Sequence, residues 1–170
     1  MYNGLLHLHN FNRWLIVLFA VITIVSMLRG FSAGAVLGKG ARRNALILLI
    51  LCDVQLLVGL YQYFFGDFGW NVIKNGGDVM KNPVARFWGV EHISGMIAAI
   101  LLVHIGYAGL KRAVPDSAKM KKMFWCTVFA VVLIVASVPW PGRGPGIERP
   151  LMPGGKTMSI NITPTQPLSL

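Results

Sequence analysis

Three ionisable residues, Glu91, His92 and His104, lie inside an apolar stretch that is long enough to cross a lipid bilayer. An ionisable group in hydrocarbon is costly unless it has a partner, so such residues mark functional or structural sites. His92 and His104 are twelve residues apart. In a helix this spacing is about 18 Å along the axis and about 120° around it. The two histidines therefore belong to two sites at two depths.

A further histidine, His9, falls at the same depth as His92. About 20 residues of helix cross the hydrocarbon core, so the basic residues that end each apolar run serve as a depth scale. Counting about 20 residues back from Arg29 reaches His9, and the same count from Lys111 reaches Glu91, beside His92. His9 and His92 should thus lie at one level on two different helices.

Two histidines at one level can hold a b-type haem, because the flat macrocycle sits between two facing imidazoles. We therefore expect one haem b with His9 and His92 as axial ligands of the iron. Arg13 and Arg86 lie in the same layer and are placed to pair with the haem propionates. His7 is the alternative to His9, because two residues along a helix rotate the side chain by about 200°.

Other interpretations of these residues stay open. The histidines also suit an interfacial role without a cofactor, with Glu91 paired to Arg86 or Arg13. A zinc site is disfavoured because no Cys or carboxylate completes a tetrahedral ligand set at a recognisable spacing. The sequence lacks a P-loop, a nucleophile elbow, HExxH and CxxCH, so we predict no catalytic residue and no covalently attached haem.

Asp53 and His104 are isolated ionisable residues in the second and third apolar runs. Each would be costly alone in hydrocarbon, so we expect them to form a buried polar pair within the bundle. Such a pair could fix the register of the two helices or relay a proton.

These residues are positioned by four predicted transmembrane helices. The chain is 55% apolar and only 13% charged, with a mean hydropathy of +0.60, which is typical of a multi-span membrane protein. The predicted spans begin at residue 4 or 5, 44, 86 and 123 and end at residues 28, 65, 112 and about 138. We expect an all-α integral membrane four-helix bundle over residues 1–141. Residues 142–170 are rich in Pro and Gly and predict an extended tail that docks on another surface.

The positive charge predicts the orientation in the membrane. Nine of the sixteen Lys and Arg residues lie in the two short loops between spans one and two and between spans three and four. The positive-inside rule places these loops in the cytoplasm and both termini in the periplasm of a bacterial inner membrane. The net charge of +10 thus reflects membrane orientation and does not indicate nucleic acid. The expected partners are the lipid bilayer and other subunits of a membrane complex.

Several motifs resemble a group of small four-span bacterial membrane proteins that are labelled cytochrome b-like. The resemblance extends to about Leu151 and is carried by HLHNFNRW, DVQLLVGLYQY, RFWGVEH with Met96 and His104, and SVPWPGR leading to ERPL. It implies a membrane electron carrier, or a haem-bearing subunit of a respiratory or photosynthetic complex, with His9 and His92 at the matching positions. Only span three carries a histidine pair at haem-like separation, so at most one haem is expected. The alternative is a cofactor-free accessory subunit.

Overall fold

The computed structural model of the protein describes residues 2–75 and 78–151, and every regular element in these ranges is helical. The α-helices are α1 (Tyr2–Leu28), α2 (Lys39–Phe65), α3 (Trp70–Asn75), α4 (Pro83–Arg86), α5 (His92–Gly109) and α6 (Asp116–Ser137). A 3-10 turn at Arg29–Phe31 follows α1. A π-helical segment at Phe87–Glu91 joins α4 to α5, so that these three pieces form one continuous helix.

Four helices are long and apolar enough to cross a membrane, and the predicted all-α four-helix membrane bundle is confirmed. All four begin earlier than predicted, and the difference is largest for α2, at Lys39 rather than residue 44, and for α6, at Asp116 rather than residue 123. The added residues include Ala, Lys and Arg. These residue types favour helix, so the helices continue past the apolar runs.

The four long helices form a ring. The main contacts join α1 to α2, α2 to α5, α5 to α6 and α6 to α1. Helices α1 and α5 therefore lie diagonally opposite each other, and a residue of α1 faces α5 across the bundle axis.

The half of the bundle near the two basic loops, here called the basic end, is closely packed. Gly106 of α5 lets α6 approach so closely that an added Cβ would lie 2.8 Å from Met123 Sδ. Met123 and Thr127 of α6 are fully buried there. The loops themselves are joined, because Leu37 N donates to Asp116 Oδ2 at 2.9 Å. Close contacts of small residues are the usual way for membrane helices to associate.

Polar contacts fix the register of α1 against α2. Asn12 Nδ2 donates to Gln55 Oε1 at 2.8 Å, and Gln55 Nε2 donates to the His9 carbonyl at 3.0 Å. About two turns further along α2, Gln62 Nε2 donates to the Leu5 carbonyl at 2.9 Å. Gly59 lies between these two glutamines and contacts His9. Gln55, Gly59 and Gln62 therefore lie on the face of α2 that contacts α1.

Residues 142–151, here called the strap, fold back over the other end of the bundle. Trp88 Nε1 donates to the Gly146 carbonyl at 2.9 Å, and Arg149 N donates to the Pro139 carbonyl at 3.0 Å. Trp14 Nε1 donates to the Leu151 carbonyl at 2.9 Å. This part of the predicted tail is thus attached to its own bundle, whereas residues 152–170 lie outside the described residues.

Candidate cofactor cavity

A cavity of about 590 Å³ opens between the long helices at the strap end of the bundle. Sites for small molecules and cofactors have about 300–1,000 Å³, so the cavity is of cofactor size. Most of its wall is apolar, with Ile16, Cys52, Ala99 and Ile100 shared with the core below. Its polar wall residues include His7, His9, Asn10, Arg13, Gln55, Gln62, Tyr63, Asp67, His92 and Arg149.

His92 is the first residue of α5 and projects into this cavity with one ring nitrogen already engaged. Its Nδ1 lies 2.8 Å from the carbonyl oxygen of Ser137, near the end of α6. A carbonyl can only accept a hydrogen bond, so Nδ1 of the neutral ring carries the proton and donates. The lone pair of Nε2 then remains available to bind a metal. Metal-binding histidines usually have this second hydrogen bond, which fixes the ring orientation.

Gly95 allows the contact between His92 and Ser137. An added Cβ at Gly95 would overlap Ser137 Oγ and would lie 2.9 Å from Ser137 Cβ. Glycine is therefore needed for α5 and α6 to approach at this level, where the His92 ring reaches the Ser137 carbonyl.

His9 lies on the opposite wall, on α1. Its ring packs against Gly59 of α2, where an added Cβ would be 3.2 Å from His9 Cε1. His9 Nδ1 is buried and has no hydrogen-bond partner among residues 2–75 and 78–151. A buried polar atom without a hydrogen-bond partner is costly, so a molecule in the cavity could supply the partner for His9 Nδ1. His7 also lines the cavity but is exposed.

Arg13 contributes a guanidinium group to the same wall. Its Nη2 donates to Asn10 Oδ1 at 2.6 Å and to the Leu151 carbonyl at 2.9 Å. Its Nε is buried, and no hydrogen-bond partner for it occurs in the described part of the chain. The predicted proximity of Arg13 to His9 and His92 at one cavity is therefore observed.

Arg86 is placed differently from the prediction. It does not line the cavity; its Nε forms an ion pair with Glu91 at 2.6 Å, and Nη1 donates to the Met80 carbonyl at 3.1 Å. Six residues apart, Arg86 and His92 already point about 120° apart on a regular helix, and the π-helical segment lies between them. The expected role of Arg86 beside a propionate is thus not supported by its position.

Arg149 occupies the position that the sequence assigned to Arg86. It lies in the strap, lines the cavity, and stacks its guanidinium on Trp88 at 4.6 Å and on Phe68 at 4.7 Å. Sequence reasoning missed it because a Pro- and Gly-rich tail gives no helical period from which to place a side chain. The ERPL motif was the only indication.

Asp53 and His104 meet as predicted, with His104 Nε2 at 2.8 Å from Asp53 Oδ1. Their predicted burial is wrong, because the side chains of His104 and Asp53 are 44% and 46% exposed. The pair lies between α2 and α5 on the outer surface of the bundle. Because residues twelve apart differ by about 120° around a helix, His92 can face the cavity while His104 faces outwards.

No family model matches the chain, and neither a curated protein nor a solved structure matches it. The resemblance to cytochrome b-like proteins therefore stays a prediction. Within the described ranges, no three His, Cys, Asp or Glu side chains are grouped so that they could hold a metal ion. A haem held by two histidines needs no such group.

Proposed function

We propose that the protein is a membrane-embedded, b-type-cytochrome-like electron-transfer protein, acting alone or as the haem-bearing subunit of a larger respiratory or photosynthetic complex. The proposal rests on one observation: His9 and His92, from diagonally opposite helices, line a single cavity of cofactor size. Facing imidazoles on the two sides of a cavity are what a planar macrocycle requires.

The residues of the cavity fit one haem b. His92 would offer Nε2 to the iron, because Nδ1 donates to the Ser137 carbonyl. His9 would provide the opposite ligand, and its ring is held against Gly59. When bound, the haem would supply one-electron chemistry.

The surrounding protein provides a mostly apolar environment. Ile16, Ile100 and Ile134 are among the apolar residues that line the cavity. Gln55 donates to the backbone carbonyl of His9 and so holds this part of α1 against α2. Histidine orientation, hydrogen bonding and burial are the means by which a protein tunes a haem.

The proposed location is a bacterial inner membrane with both termini in the periplasm. Arg29, Arg42, Arg43, Lys111 and Lys122 are among the nine basic residues at the basic end, which support this orientation by the positive-inside rule. The cavity then lies near the periplasmic side, within reach of donors or acceptors there.

A reduced-minus-oxidised visible spectrum of the purified protein tests the proposal. We expect a Soret band and alpha band in the intact protein, and their loss in His92→Ala. The matched control is His104→Ala, which removes the other histidine of α5 and should leave both bands. A protein without a Soret band, or reversed results for the two variants, would refute the assignment.

A cofactor-free accessory subunit is the second candidate, and the exposed Asp53 and His104 pair favours it. A polar pair on the lipid-facing surface is stabilised when another subunit covers it. This function predicts no visible absorption in the protein purified without its partners.

A further inference from the structure

The Asp53 and His104 pair lies on the outer surface of the bundle at the depth of the hydrocarbon core. Asp53 is ten residues from Arg43, and His104 is seven residues from Lys111. These spacings are about 15 Å and about 10 Å of helix, in a hydrocarbon core about 30 Å thick. Both side chains are nevertheless about half exposed. Ionisable side chains at this depth normally face protein, so an exposed pair indicates a surface that another chain covers.

The pair has one hydrogen-bond donor and one acceptor left over. His104 Nε2 lies 2.8 Å from Asp53 Oδ1, and neither side chain forms another hydrogen bond within the part of the chain that the structure describes. A net charge is costly in hydrocarbon, so the favoured state of the pair has no net charge. In that state one proton lies between Oδ1 and Nε2 and a second proton is on Nδ1, whichever side chain holds the first. His104 Nδ1 can therefore donate outwards, and Asp53 Oδ2 can accept.

A two-fold axis along the membrane normal matches this donor with this acceptor. Such an axis keeps every residue at its depth and reverses the order of residues within the membrane plane. Because Asp53 and His104 meet at one depth, the axis places Asp53 of one copy opposite His104 of the other. Two hydrogen bonds from Nδ1 to Oδ2 would then complete a cluster of four side chains. The surface thus complements itself, which is the requirement for a symmetric dimer.

Aliphatic side chains surround the polar pair on both helices. On α2, Ile50 and Leu57 lie within about 60° of the aspartate around the helix. On α5, Ile97 and Leu101 lie within about 60° of the histidine. All four side chains are exposed. Residues 44–65 and 92–110 contain no Lys or Arg, so a second copy would meet apolar contacts and no repulsion between basic residues.

We propose that the protein forms a symmetric homodimer through the surface of α2 and α5 that is centred on Asp53 and His104. A second copy fits this surface because it supplies both the acceptor and the donor at the required depth. The inference does not depend on the proposed function, since the cavity that contains His9 and His92 lies between the helices and not on this surface.

Sedimentation equilibrium of the intact protein in density-matched detergent measures the Kd of the dimer. A variant with both Asp53→Leu and His104→Leu loses the polar pair but keeps an apolar surface that suits a membrane helix. Because two hydrogen bonds across the interface are lost, we expect its Kd to be about tenfold higher than that of the intact protein. Phe129→Leu is the control, since Phe129 is exposed on α6, and its Kd should stay within about twofold.

A mixing experiment tests the pairing across the interface. Asp53→His has two histidines at the centre of the surface, and His104→Asp has two carboxylates there. Each variant alone should dimerise about tenfold more weakly than the intact protein. An equal mixture should form heterodimers with a Kd within about threefold of the intact value, because each carboxylate then faces a histidine. Recovery in the mixture also shows that both variants are folded.

The remaining outcomes would overturn the proposal. It fails if the intact protein stays monomeric, or if the double leucine variant dimerises as tightly as the intact protein. It also fails if the two variants are helical by circular dichroism but form no heterodimer. A monomeric protein that co-purifies with a different chain, which the leucine variant loses, would assign the surface to another subunit instead of a second copy. The visible spectrum of the leucine variant should equal that of the intact protein, so failure of the dimer and failure of the proposed function are separate results.

Discussion

At the scale of single residues, the orientation of His92 depends on Gly95, which lies one turn further along α5 and has no side chain. Gly95 leaves room for Ser137, and the Ser137 carbonyl accepts from His92 Nδ1. The orientation of the His92 ring thus depends on how closely α5 approaches α6. This dependence is local enough to be tested with one added methyl group.

Gly95→Ala should lower the free energy of unfolding by about 1–3 kcal/mol, because the added Cβ overlaps Ser137 and forces the two helices apart. Thermal unfolding in detergent, followed by circular dichroism, measures the change. Gly40→Ala is the control, since an added Cβ at Gly40 meets nothing within 4 Å. Equal stability of the two variants would contradict the close approach.

The Asp53 and His104 pair should show a small coupling free energy. Polar contacts between membrane helices contribute about 0.6 kcal/mol on average in double-mutant cycles, and exposure of both side chains argues against a larger value. The cycle of Asp53→Ala, His104→Ala and the double variant, measured by reversible unfolding, gives the coupling. A second cycle of Asp53→Ala with His7→Ala should give none. Coupling that is equal in both cycles would show that the contact is not energetically significant.

The sequence correctly predicted the positions of those residues whose location depends only on their depth along the helices. His9 and His92 follow from counting along regular helices to the basic residues, and the structure brings both to one cavity. The Asp53 and His104 contact was found in the same way. Depth alone does not determine the direction of a side chain, which explains why the burial of that pair was predicted wrongly.

At the scale of elements, the register of α1 against α2 is set by amide side chains in an apolar setting. Gln55 is central, because it accepts from the buried Asn12 and donates to the carbonyl of His9. Hydrogen bonds of this kind are stronger in a low-dielectric interior than in water. They therefore hold the His9 side of the cavity at a fixed level.

Gln55→Leu should lower the free energy of unfolding by about 1–3 kcal/mol, because Asn12 loses one partner while it remains buried. Unfolding in a denaturing detergent, followed by helical circular dichroism, provides the measurement. Asn75→Leu replaces an exposed amide and should change stability by no more than about 0.5 kcal/mol. A Gln55 variant as stable as this control would mean that the α1 and α2 contact does not depend on Gln55.

The π-helical segment marks the limit of what helical periodicity could predict. The apolar pattern indicated one continuous helix through Arg86 and His92, and it is continuous. Its local widening at Phe87–Glu91 has no signature in composition, and Tyr63 stabilises it by donating to the Gly89 carbonyl at 3.0 Å. Tyr63 of α2 thus contributes to the conformation of a different helix. The hydrophobic pattern of one segment cannot reveal such a contact between two segments.

At the scale of the whole molecule, the bundle is asymmetric along its axis. Small residues and methionines fill the basic end, whereas the strap end contains the cavity and most of the aromatic contacts to cations. The sequence predicted the four spans and the charge asymmetry from composition. It could not predict the cavity, which results from the spacing of four helices rather than from any one of them.

Reporter fusions should give a cytoplasmic signal at Gly38 and Pro115 and a periplasmic signal at Leu170. The reason is the concentration of nine Lys and Arg residues in the two short loops and the adjoining helix ends at the basic end of the bundle. Paired reporters that are active on opposite sides of the membrane measure the orientation at each site. The inverse pattern would place the cavity at the cytoplasmic face and would exclude periplasmic electron donors.

The attachment of Leu151 has a practical consequence for purification. Its carbonyl is bound to Arg13 and Trp14, so a peptide joined after it starts beside the cavity. A polyhistidine tag after Leu170 is nineteen residues further along, a maximum reach of about 65 Å. Its imidazoles are themselves ligands for iron and could imitate the ligation proposed for His9 and His92. A tag inserted in the loop at residues 32–38, at the opposite end of the bundle, keeps foreign imidazoles away from the spectrum that is to be measured.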